Sequence, residues 1–343
     1  MPVRPVLAEG SRNMKPGLKI VGILLVLGLH GCTTGKVALE QKIIPQPPAD
    51  AKNPLLVWDV APGQPADLPR NFRTTSDPLK PAGEKTPDVT GLADLHAAGS
   101  GVFSAAEFKQ ALARLGGPVT VFDLRQESHV FVNGAPISWY ATNDWANVGR
   151  SHDEVIRDEG SRSAGIEPGG KLTLCDVNTI KSPANATPPI DVVVENASTE
   201  QAIVEAMQVN YVRLTVTDHV RPTDAEVDRF VEAVRALPAD GWVYFHCRAG
   251  KGRTTTFLAL YDMLSNARRV SVEDIAHRQE LLGDDLDVLQ PASSGSWKAP
   301  YTDERIAFVR AFYEYARANP RGRPQLWSEW LRSPAARASL PAQ

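Results

Sequence analysis

The chain has 343 residues, with 37 Lys and Arg against 40 Asp and Glu, for a formal charge of −3. Hydrophobic residues make up 43% and charged residues 22%, ordinary globular usage that excludes a disordered chain, a collagen-like repeat and a polytopic membrane protein. The slight acidity argues against a general nucleic-acid binder, and three cysteines are too few for a disulfide framework.

The N-terminus reads as an address. Arg12, Lys15 and Lys19 precede an apolar run from Ile20 to Leu29. That run is too short to cross a bilayer but suits the hydrophobic region of a signal peptide. Leu29-His30-Gly31-Cys32 resembles a bacterial lipoprotein signal, which implies removal of residues 1–31 and lipidation of Cys32. His30 departs from the small residue preferred there, and Met14 offers an alternative start. The expected place is outside the cytoplasm, at the periplasmic face of a bacterial membrane or secreted. Contact with a membrane is expected only through the lipid anchor. Removing this segment takes away four basic residues and one acid, so attraction for an anion must be local.

Residues 32–55 are Pro-rich without helical or strand period and read as an extended tether, leaving 56–335 as the folded domain. Ser104 with Glu107 forms a capping-box pattern opening a helix through Leu115, which Gly116-Gly117 closes. Pro118–Phe122 reads as a strand. Residues 160–198 are rich in Gly, Pro, Ser, Asn and Thr around β-like runs at 171–174 and 190–194, and read as an inserted β-rich segment. A helix at about 199–207, a strand at 211–216 and a loop at 217–222 follow. Thr223 with Glu226 opens the next helix. Then come a strand at 242–245, a loop, an apolar helix at 252–264, and amphipathic helices near 271–282 and 302–318. Strands alternating with helices predict an α/β fold with a central, largely parallel sheet.

The loop between that strand and the apolar helix carries chemistry: His246-Cys247-Arg248-Ala249-Gly250-Lys251-Gly252-Arg253-Thr254. Backbone N–H groups and the positive end of the following helix converge on Cys247, which favours a thiolate and then a bound phosphate. Arg253 returns to the same centre, where its fork can grip two phosphate oxygens. Gly250 and Gly252 allow sharp turns and close approach to an anion. Thr254 can donate to the sulfur, and His246 can brace the loop from behind. A phosphocysteine mechanism also needs an acid for the leaving oxygen. Asp218, in a loop beyond a predicted strand with His219 beside it, is the candidate; an Asp in a turn is also a common cap.

These blocks together resemble the protein-tyrosine-phosphatase-like cysteine phytases, which remove phosphates from inositol hexakisphosphate. The likeness rests on Leu68–Arg73, Asp123–His129, Asn133-Gly134, Ser138–Tyr140, Asn143–Asn147, Thr217–Thr223, the Cys247 loop through Thr256, and Trp297-Lys298 through Arg305. It implies a cysteine-phosphatase core with a small inserted β-barrel, and Asp218 as general acid. It also implies that Arg73, Asp144, His219, Lys298, Tyr301 and Arg305 line the pocket for peripheral phosphates, beside the loop residues Arg248 to Gly252. No metal or cofactor is called for. The substrate expected is a small polyanion, an inositol polyphosphate.

One departure bears on substrate. Arg248 and Lys251 stand where the family often carries an acidic and an apolar residue, so the loop resembles the basic loop of phosphoinositide 3-phosphatases. A basic loop favours several phosphates over one. A phosphoinositide or phosphotyrosine phosphatase and a non-catalytic phosphate-binding lipoprotein are the alternatives. Cys175, in the β-rich segment, is read as a packed free thiol, with pairing to Cys247 the other option.

Overall fold

The computed structural model describes residues 41–340 apart from 62, 64–66, 82, 84, 182–186 and 284–285. The expected signal peptide, Cys32 and the tether up to residue 40 lie outside the described residues. In chain order the elements are β1 (Leu55–Trp58), β2 (Arg73–Thr74), β3 (Ala97–Ser100), α1 (Ala105–Leu112), β4 (Val119–Asp123), β5 (His129–Val132) and β6 (Ala135–Tyr140). Next are α2 (His152–Ala164), β7 (Lys171–Asp176), α3 (Val177–Lys181), β8 (Ile190–Val193), β9 (Ala197–Ser198), α4 (Glu200–Glu205), β10 (Asn210–Arg213) and α5 (Asp224–Ala236). Last come β11 (Trp242–His246), α6 (Gly252–Asn266), α7 (Val272–Leu282), α8 (Ala299–Ala318), α9 (Trp327–Leu331) and α10 (Pro334–Ser339).

The central sheet has the order β10-β4-β11-β3-β2, parallel except for the antiparallel edge strand β2. This is the expected α/β architecture. β4 is buried along its whole length, as parallel strands covered on both faces must be. Phe122, Phe230, Phe245 and Phe257 join one face to α5 and α6, while Phe103, Phe108, Val204 and Tyr244 join the other to α1 and α4. Helix α6 is buried on nearly every side, so it is the central helix and its N-terminus is held by the core.

Capping chemistry sets the helix starts. Ser104 accepts from Glu107 N while Glu107 accepts from Ser104 N, the reciprocal box expected for α1. At α5 only half of the box forms. Thr223 accepts from Glu226 N, but the Glu226 carboxylate turns to Thr215 N and Oγ1, each at 3.0 Å, and steadies the chain entering the Asp218 loop. Helix α8 begins at Ala299, earlier than expected, because Pro300 suits a first helical turn. The fold also runs past residue 335, since Trp327, Trp330 and Ala336 are fully buried in the main core.

A second sheet has the order β8-β7-β1-β6-β5-β9. Strands β7, β8 and β9 arise within 160–198, although that stretch opens inside α2. The other three strands come from elsewhere: β5 and β6 form a hairpin on Asn133-Gly134, both at positive φ, and β1 lies at the edge of the stretch read as tether. The described strands form an open sheet, with β8 and β9 at opposite edges and no closed barrel among them. A four-residue strand between prolines carries too little period to be seen before its partners are known.

Candidate active site

The loop between β11 and α6 is shaped by its glycine. Gly250 has φ +75°, and a Cβ there would strike the backbone of Ser100 and Gly101, so the loop lies directly against the end of β3. Cys247 is buried at the N-terminal end of α6, and its Sγ accepts from Thr254 Oγ1 at 3.2 Å. A hydroxyl donor and a helix N-terminus both favour negative charge on sulfur.

Arg253 reaches the same point from the first turn of α6. Its Nη1 and Nη2 donate to the two oxygens of Glu127 at 2.8 and 2.9 Å, and Nη1 also donates to Val216 O at 3.1 Å. Burial works to raise the Glu127 carboxyl, but Arg253 and Arg125 outweigh it and hold the group well below the ordinary range. Asp218 stands on the remaining edge of the guanidinium, with Oδ1 3.2 Å from Arg253 Nε and Oδ2 3.2 Å from His219 Nε2. Trp145 Nε1 donates to Asp218 O at 2.9 Å, and His219 is held at φ 66°. The Cys247 thiol, the Arg253 guanidinium and the Asp218 carboxylate therefore meet at one place. They form the floor of a cleft of about 730 Å³, large enough for a small polyanion.

Ala249, Lys251, Gly252, Asp144, His219, Lys298 and Arg305 line that cleft. Burial lowers the affinity of His219 for its proton. Burial also lowers the Arg305 pKa, against the pull of Asp287. Gly250, packed against Ser100 and Gly101, is not among the lining residues, and neither is His246, whose Nε2 is 2.6 Å from Glu200 Oε1.

Three expectations need correction. Arg73 does not line the cleft: it is 4% exposed and runs behind the loop, donating to Gly250 O at 2.9 Å and Thr255 Oγ1 at 2.9 Å. Tyr301 is drawn into an aromatic cluster with Trp145 and Trp297 and is not among the residues lining the cleft. Arg248 borders the cleft, but its charge is already matched. Its Nε donates to Asp59 Oδ1 at 2.8 Å and its Nη1 to Asp144 Oδ1 at 2.7 Å, with Tyr140 packed against the guanidinium. The loop is accordingly less basic than its sequence suggests. Asp144 itself is pushed up to about 6 by burial, with Glu127 and Asp218 adding to the rise and Arg248 opposing it.

Comparison with known proteins follows the same lines. The family described as inositol hexakisphosphate, PTP-like phytase, matches residues 122–265. A solved PTP-like phytase from Bdellovibrio bacteriovorus is 41% identical, covering 85% of this chain and 98% of that one, with a TM-score of 0.69. The chain belongs to the PTP-like phytases. The solved PTP-like myo-inositol phosphatase from Mitsuokella multacida, in complex with myo-inositol-(1,3,4,5)-tetrakisphosphate, is 31% identical over 88% of this chain and 50% of that one, with a TM-score of 0.76. Effector protein hopD2 of Pseudomonas syringae pv. tomato is 37% identical over 263 residues, which are 76% of this chain and 56% of the effector. The chain thus spans about half the length of these last two relatives.

This PTP-like phytase also uses residues that the sequence did not single out. Glu127 holds Arg253, Glu200 holds His246, and Asp59 holds both Arg248 and Arg125, the latter at 2.8 Å. Arg70 and Lys181 border the cleft, Lys181 from the short helix α3 of the second sheet's connections. The available signal was the alternation of charge in Asp123–His129 directly after a buried strand, where every residue proves buried. Asp123, His129 and Glu200 approach one another as a metal site would, but Arg213 Nη1 lies 2.6 Å from Asp123 Oδ2 and supplies the positive charge there.

Proposed function

We propose that this PTP-like phytase hydrolyses phosphomonoesters of inositol polyphosphates through a phosphocysteine. The observation that carries the reading is the meeting of Cys247, Arg253 and Asp218 at the floor of one cleft whose rim includes Lys181, Lys251, Lys298 and Arg305. The phosphate enters the loop and takes Arg253 Nε, and the Asp218 carboxylate must yield that contact. Cys247 attacks phosphorus while Asp218, carrying a proton, gives it to the departing inositol oxygen. Water, deprotonated by Asp218, then attacks the phosphocysteine and releases phosphate. Glu127 fixes the Arg253 fork through both steps, so charge stabilisation needs little rearrangement.

The rim favours a soluble polyphosphate. The argument for lipid head groups rested on a doubly basic loop, and Asp59 and Asp144 take Arg248 out of that count. We also propose export on a lipid anchor at Cys32, supported by the basic, apolar and small-residue order of residues 12–32. Labelled palmitate should enter the wild-type chain in cells and not Cys32→Ser.

The deciding experiment is phosphate release by the purified chain from inositol hexakisphosphate, a phosphoinositide and a phosphotyrosine peptide, with Cys247→Ser as blank. Release mainly from the inositol polyphosphate, absent in the blank, is the expected result. Release mainly from lipid or peptide would overturn the substrate, and binding without release would overturn the enzyme.

A further inference from the structure

A loop that binds an anion through its amides has a matching problem on its outer side, because each peptide carbonyl points opposite to the next residue's N–H. Those carbonyls face protein and need donors. Here three consecutive ones are met from one short segment. Arg70 Nη2 donates to Arg248 O at 2.7 Å, Asn71 Nδ2 to Ala249 O at 2.9 Å, and Arg73 Nη1 to Gly250 O at 2.9 Å. The segment is itself anchored to the central sheet. Gly101 N donates to Arg70 O at 2.7 Å, and Arg73 pairs with Gly99 in β3. Asn71 takes φ 57°, which aims its amide at the loop.

Arg73 does more than donate. It is buried, and its Nη2 holds Thr255 Oγ1, one residue beyond the hydroxyl that donates to Cys247. Burial lowers its pKa to about 10, with Cys247 and Tyr244 opposing the fall, which leaves it a cation at neutral pH. A cation behind the loop attracts the thiolate as one in front would, without occupying space that the substrate needs.

We infer that Arg70, Asn71 and Arg73 form the positioning element of the phosphate loop, holding three carbonyls outward so that the amides of Ala249, Gly250 and Lys251 face the anion, with Arg73 as the rear counter-charge to the Cys247 thiolate. This deepens the proposed function and rests on its reading of Cys247 as the nucleophile. It assigns Arg73 a task different from contact with peripheral phosphates, and it makes Asn71 a residue on which anion affinity depends.

The test uses the full chain and reads the loop directly. Iodoacetamide, which is uncharged, alkylates the thiolate, and mass spectrometry separates the Cys247 adduct from those of the other cysteines. In Arg73→Met the alkylation rate of Cys247 at pH 6 should fall about tenfold. Loss of packing alone would expose the sulfur and speed alkylation at every pH, the opposite sign. Arg73→Lys keeps the charge and should restore most of the rate at pH 6. Asn71→Gly tolerates the backbone angle and removes only the amide. Its inhibition by inorganic phosphate should weaken several-fold with an unchanged melting temperature. Unchanged or faster alkylation in Arg73→Met would overturn the inference. So would unchanged phosphate inhibition in Asn71→Gly. A wild-type chain that turns over none of the three substrates, yet whose alkylation falls in Arg73→Met, would sink the enzymatic reading and leave this one standing.

Discussion

Glu127→Gln is the sharpest probe of how the site is held. The two residues are isosteric, but the substitution turns one oxygen of the carboxylate into an NH2 group facing the N–H donors of Arg253. It also removes the negative charge that Arg253 and Arg125 share. The Glu127 and Arg253 side chains are 1% and 3% exposed, and Arg125 Nε donates to Glu127 at 2.9 Å, so no solvent is at hand to replace what is lost. Breaking one partner of a buried pair costs roughly 3–5 kcal/mol, and two cations served by one carboxylate place this case at about 4 kcal/mol. For a domain of this size that corresponds to a fall in Tm of roughly 6–7 °C. Turnover should fall about 10²-fold, because Arg253 loses the fork that orients it toward the phosphate. Differential scanning calorimetry and p-nitrophenyl phosphate hydrolysis measure the two losses. Acid titration gives an independent sign. The folded-state pKa of Glu127 is held below its ordinary 4.5, so its stabilising contribution is present above that value and is lost as pH falls toward the folded pKa. The stability gap between wild type and variant should therefore narrow from pH 5 to pH 3. A variant within about 1 kcal/mol of wild type, turning over within about threefold and keeping a constant gap, would refute the account.

Asp218→Asn should slow inositol polyphosphates far more than p-nitrophenyl phosphate, whose good leaving group needs no proton; equal losses on both would remove Asp218 from the acid role. Gly250→Ala must back the loop away from Ser100 and Gly101, and turnover should drop by about 10²-fold with the far-ultraviolet circular dichroism unchanged; near-normal activity would contradict the close approach. Asp144 keeps its proton in the folded chain up to about pH 6 against an ordinary 3.8, so its contribution makes the fold less stable as pH rises through that window. Urea midpoints measured from pH 4 to 7 should therefore decline less steeply in Asp144→Asn than in wild type; parallel curves would argue against the raised value.

The Cys247 loop, the Asp218 loop and the alternation of strands and helices were legible because each depends on residues close in sequence. A tight loop between strand and helix dictates its own glycines, a capped helix announces its start, and Cys247 and Arg253 lie only six residues apart. What tertiary structure alone decided is where charge is cancelled. Arg248 reads as a free cation until β1 brings Asp59 beside it and the turn after β6 brings Asp144. Arg73 reads as a substrate contact until the edge strand β2 carries it behind the loop. The second sheet was only half visible for the same reason. Its strands β1, β5 and β6 come from stretches far from 160–198, and short strands gain their stability from cross-strand partners that no local pattern records. Sequence determined which groups this protein has for the chemistry. The fold determined which of them keep their charge for the substrate, since electrostatic energy depends on distances between residues that the chain places up to 189 positions apart.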